Sequence, residues 1–85
     1  MPDARIAPDA ATVRRRTLEW VAEILEEPEV TEDDNFLDLG GHSMLALVLG
    51  ERAKDAFGAD YDLKTLFEGT LASAAAELAS RVAGS

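Results

Sequence analysis

The chain contains no cysteine in its 85 residues. Disulfides, thiolate metal sites and cysteine nucleophiles are therefore excluded, and a reducing cytoplasm suits the chain. Aromatic residues make up only 6%. A core must then come mainly from Leu, Val, Ile and Ala, a set that suits helices better than strands. Basic residues are also scarce, with 8 Lys and Arg against 17 Asp and Glu, a formal charge of −9. Such a surface repels phosphate backbones and anionic bilayers, so neither nucleic acid nor membrane is an expected partner. The acidity serves solubility or docking to basic patches on other proteins, and charge alone does not separate the two. No apolar run is long enough to span a bilayer, and the polar, proline-interrupted start lacks the core of a signal peptide.

What is present is a globular composition, 47% hydrophobic, at a length that fits one domain. Residues 1–9 read as a loose leader and residues 10–83 as the folded domain. Val13, Thr17, Trp20, Val21, Ile24 and Leu25 recur at helical spacing, with Leu18 widening the stripe. Asp9 can cap this first helix and Pro28 marks its stop. Residues 28–42 form a long, acidic and then glycine-containing connection, in which Phe36, Leu37 and Leu39 are expected to turn inward. A second helix is predicted from Ser43 to Phe57, closed by Gly58. Gly50 lies inside it at a cost of about 1 kcal/mol against alanine, which suggests close packing. A short helical turn over Leu63 to Phe67 and a last helix from about Thr70 to Val82 complete an all-α, three-to-four-helix bundle with a long first loop.

The chemistry concentrates where the loop meets the second helix. Ser43 stands at a helix start, where unpaired N–H groups and the positive end of the dipole favour an anion. Gly40 and Gly41 permit backbone angles and approaches that side chains forbid, leaving room for an enzyme. A phosphate on Ser43 suits this place, although serine there is commonly no more than a cap. A lone His42 is more often an exposed polar residue than a catalyst.

Other chemistries fit poorly. A nucleophile elbow needs glycine on both sides of the serine after a strand, but Leu45 occupies the second place and the sole histidine adjoins Ser43. A calcium loop begun at Asp33 and Asn35 is broken by Leu37 and Asp38 where a ligand and then glycine are due.

Asp34-Asn35-Phe36, Leu39-Gly40-Gly41-His42-Ser43 and Met44-Leu45-Ala46 together resemble the signature of carrier proteins, most closely the peptidyl carriers of nonribosomal peptide synthesis. The likeness extends from Leu18 through Leu25 to Leu66-Phe67 and covers roughly residues 12–82. It departs at Met44, where leucine is commoner, and in the last helix, which lacks a proline near its start and is rich in alanine. The resemblance implies that a phosphopantetheinyl transferase places 4′-phosphopantetheine from coenzyme A on Ser43, flanked by Gly40, Gly41 and His42. The arm's thiol would then hold an aminoacyl or acyl group as a thioester, without the carrier itself being an enzyme. An adenylation or acyl-loading enzyme would charge it, and condensation, tailoring or thioesterase enzymes would use it. Met44, Leu47 and Val48 are expected to form an apolar docking stripe, with core packing an equal alternative for Leu47 and Val48. Asp38 could steer the transferase or be only an exposed acid. A monomer is expected, and a freestanding protein and an excised domain would read alike. An acyl carrier of a polyketide or fatty-acid pathway is the alternative, followed by an unmodified interaction module.

Overall fold

Asp9 starts the first helix, as its place ahead of the apolar stripe predicts. In the computed structural model, which describes residues 9–84, its carboxylate accepts from the Thr12 N–H at 2.8 Å. This satisfies one of the donors left open at a helix start. The same bond holds the Asp9 carboxyl below the usual aspartate range. The remainder of the expected leader, residues 1–8, lies outside the described residues.

Helix α1 (Ala10–Leu25) buries Val13, Thr17, Trp20 and Val21. Leu18, Ile24 and Leu25 pack at the margin of the core, so the predicted stripe is the interior face. The helix ends at Glu26, in the left-handed region at φ 55°, and Glu27 N–H donates back to Ala22 O at 2.9 Å. It therefore stops before Pro28.

Three further helices follow: α2 (Ser43–Phe57), α3 (Leu63–Glu68) and α4 (Leu71–Gly84). The described residues contain no strand. The starts of α3 and α4 have a local side-chain cause. Asp62 accepts from Thr65 N–H at 3.0 Å to open α3, and the Thr65 hydroxyl bond, with this N–H second, lowers its carboxyl pKa. Ahead of α4, Ser73 N–H donates to Thr70 Oγ1 at 3.1 Å and Thr70 N–H donates to Ser73 Oγ at 2.9 Å. That reciprocal pair is a capping box with serine in the acid's place. Gly58 closes α2 at φ 81°, a conformation that favours glycine.

α1 packs most extensively against α4 and also against α2, while α3 packs on α4. Fully buried Val13, Val21, Leu49, Leu66, Leu71 and Leu78 form the centre. The alanines of the last helix are part of this contact: Ala74, Ala75 and Ala79 are buried, and small side chains permit a short interaxial distance. Gly50 is buried too, and a Cβ there would run into the Asp60 carboxyl, whose Cγ would lie at 3.1 Å.

One polar pair crosses the core. Thr17 Oγ1 donates to Val13 O at 2.8 Å and lies 2.6 Å from Tyr61 Oη. The threonine proton is already committed, so the tyrosine hydroxyl is the donor between them. Burial pushes the Tyr61 phenol up to about 12.

Candidate functional site

The loop ahead of Ser43 is built by a succession of tight backbone bonds. Leu39 N–H donates to Asn35 O at 3.1 Å, Gly40 N–H to Leu37 O at 3.0 Å, and Gly41 N–H to Phe36 O at 3.0 Å. This winding sends Phe36 fully inward and leaves Leu39 half-buried against the core. Leu37 turns the other way and is 45% exposed, contrary to the expectation that it points inward. In a chain coiled this tightly, positions three apart share a side and the one between them does not.

The two glycines serve different ends. Gly40 has φ 101° and open space around its α-carbon, a backbone state that side chains resist. Gly41 faces inward: a Cβ there would lie 2.6 Å from Phe36 Cδ2 and 2.7 Å from its Cζ. Its room is thus taken by the Phe36 ring, and only Gly40 leaves space on the outside.

Ser43 is the first residue of α2, exposed, while His42 holds the cap position with extended backbone and no side-chain cap bond. The reading of Ser43 as a helix cap is therefore displaced by one residue. The first backbone bond into the helix runs from Ala46 N–H to His42 O at 2.9 Å. The N–H groups of Ser43, Met44 and Leu45 precede it, and the first turn holds no acidic residue. An anion attached to Ser43 Oγ would meet free donors and the positive helix end, worth about 0.3–1 kcal/mol at an exposed site. The residues present fit a phosphodiester on this serine.

Beyond Ser43, Met44, Leu47 and Val48 are 67%, 60% and 44% exposed. Their spacing places them on one side of α2. The opposite side, Ala46, Leu49, Gly50 and Ala53, is the buried one. Core packing is thereby removed as the account of Leu47 and Val48. Asp38 is exposed on the outward side of the loop, and its N–H donates to Asn35 Oδ1 at 3.0 Å. Sequence reading placed Asn35 in the signature and Leu63 at the start of the short helix but gave neither a role at the site; Leu63 is 47% exposed there. Among the described residues no three His, Cys, Asp or Glu are grouped to hold a metal ion. None of the described helices is long and apolar enough to cross a membrane.

Comparison with known proteins is consistent with this geometry. The chain is 44% identical over 62 residues to the phosphinothricin tripeptide synthetase PhsB of Streptomyces viridochromogenes, covering 73% of this chain and 5% of that one. It is 44% identical over 55 residues to a dimodular nonribosomal peptide synthase of Bacillus subtilis, covering 65% of this chain and 2% of the other. With a component of the linear gramicidin synthase of Brevibacillus parabrevis it shares 47% identity over 47 residues, 55% of this chain and 1% of that protein. The chain thus spans 5% or less of these relatives, and the resemblance read from residues 34–46 is borne out. Residues 15–79 match the family described as the phosphopantetheine attachment site, whose members carry 4′-phosphopantetheine covalently. A match over that much of an all-helical chain, with an exposed serine opening α2, leaves one assignment: the chain belongs to the phosphopantetheine attachment site family.

Proposed function

We propose that this chain is a peptidyl carrier, and that Ser43 is the residue that takes the arm. The observation that carries the reading is the exposed Ser43 at the first position of α2, inside a signature matched in order and spacing. Modification forms a phosphoester bond from Ser43 Oγ to the phosphopantetheinyl phosphorus of coenzyme A. The bond to adenosine 3′,5′-bisphosphate breaks, and the serine proton leaves to a base of the transferase. When bound, the arm supplies a thiol that holds an aminoacyl or acyl group as a thioester. The chain's own part is to present the oxygen and to place the tethered group near successive partners, raising its effective concentration there.

Partner enzymes are required by such a role. A phosphopantetheinyl transferase would modify the serine, and an adenylation or other loading enzyme would charge it. Condensation, tailoring or thioesterase enzymes would receive the cargo. Met44, Leu47 and Val48 are the side chains we assign to apolar contact with these partners, and Asp38 offers a charge beside the loop. The names of the relatives, a nonribosomal peptide synthase and a gramicidin synthase among them, support peptide cargo over the polyketide or fatty-acid alternative.

Intact mass after incubation with coenzyme A, magnesium and a broad-specificity transferase tests the assignment. A gain of one phosphopantetheinyl group is expected on the wild type and none on Ser43→Ala. No gain on folded wild type, beside a known carrier that is modified, would overturn it.

A further inference from the structure

We propose that Asn35 is a positioning residue for the modification of Ser43, fastening the serine's loop to the junction between α3 and α4. The proposal rests on the carrier reading of Ser43. Asn35 Nδ2 donates to Phe67 O at 3.0 Å and to Gly69 O at 2.7 Å. Its Oδ1 accepts from Asp38 N–H at 3.0 Å. The carboxamide orientation follows from these partners, since two carbonyls need the amide side and one N–H needs the oxygen. A single side chain therefore holds the far junction with one end and the near loop with the other.

The junction is fastened by the backbone as well. Leu71 N–H donates to Asp34 O at 2.8 Å and Ala72 N–H to Glu32 O at 2.9 Å, so the loop supplies acceptors for the first donors of α4. The Phe36 ring, next in sequence, lies 6.3 Å from that of Phe67 and underlies Gly41. From Asn35 to Gly41 the chain is closed by the successive turn bonds described above, which leaves little slack between the junction and the serine. A displacement at the α3–α4 junction is thus carried to His42 and Ser43 rather than absorbed on the way. Asn35 touches neither the serine nor its neighbours in sequence. It acts through the loop.

Asn35→Asp keeps the size and the oxygen that receives Asp38 N–H, but sets carboxylate oxygen against two carbonyls. Asn35→Ala removes both functions without adding charge. Tyr61→Phe serves as the control, deleting a buried hydrogen bond away from the loop. Two readouts are taken on each chain: the rate of modification by a transferase at limiting carrier, and amide exchange at Gly41, whose N–H is bonded to Phe36 O. Both Asn35 variants are expected to slow modification and speed Gly41 exchange by about tenfold, the size expected from losing these hydrogen bonds. Tyr61→Phe should leave both unchanged while denaturant unfolding records its loss of stability. Wild-type values of either readout in both Asn35 variants would overturn the proposal, as would equal changes in Tyr61→Phe. A slowed rate with unaltered Gly41 exchange would also overturn it, since Asn35 would then act by touching the transferase. Failure of the wild type itself to be modified would instead remove the carrier reading beneath it.

Discussion

The inner face of α1 and the outer face of α2 have similar apolar patterns and opposite fates. On α1, the residues at helical spacing are buried, and even the hydroxyl of Thr17 finds two partners inside. On α2, burial falls on Leu49 and the small Ala46, Gly50 and Ala53, while Met44, Leu47 and Val48 remain in solvent. A fold that needed only to be stable would exchange these, placing bulk inside and polar groups outside. The difference teaches that the composition of α2 answers to something besides packing. Its exposed apolar side begins beside Ser43.

The largest expected effect tests the buried side of α2. Leu49 is 0% exposed at the centre of the core, so Leu49→Ala should cost about 2–5 kcal/mol of unfolding free energy by lost transfer and a residual cavity. Urea denaturation measures it. A loss below about 1 kcal/mol would mean that the face collapses freely, and the contrast with its outer side would weaken.

Next comes the polar pair within the α1 face. Tyr61 is 4% exposed, and burial raises its phenol from an ordinary 10.0 to about 12. The folded state thus retains the proton that the unfolded chain releases first. The contribution is fully present below pH 10 and is lost as pH rises from about 10 to 12. The two-unit difference corresponds to about 3 kcal/mol in all. Unfolding measured from pH 9 to pH 12 should show this fall, and Tyr61→Phe should remove that component. Because the chain has one tyrosine, tyrosinate absorbance reports this group alone.

These two faces also show where sequence reading succeeds. Helical periodicity located α1, and Asp9, Gly58 and Thr70 marked its start and later boundaries because capping acts over a few residues. Ser43 was legible from a motif of fixed spacing. The Thr17–Tyr61 pair and the reach of Asn35 to Phe67 and Gly69 were not, since each joins distant parts of the chain. Nothing local announces a partner that only the fold brings near. Leu37 failed for a related reason: its composition favours burial, but the turn bonds around it decide its direction. Gly41 was correctly singled out and its reason misread, because the ring that fills its space belongs to a neighbour whose position the pattern alone does not fix.

The smallest effect on stability should come from the outer side of α2, and it sharpens the comparison most. Leu47 is 60% exposed, so Leu47→Ala removes little area that folding had buried. Alanine also has the better helix propensity, and the two small terms oppose each other. Unfolding free energy should change by no more than about 0.5 kcal/mol, as for surface positions away from special contacts. If this side serves docking, the same substitution should lower the efficiency of modification or of loading while leaving urea unfolding in place. A variant that is as stable as wild type and slower with its partners would separate the face that folds α2 from the face that uses it. Equal stability and equal rates would show that Leu47 is merely tolerated in solvent, and the docking stripe would shrink toward Met44 and Val48.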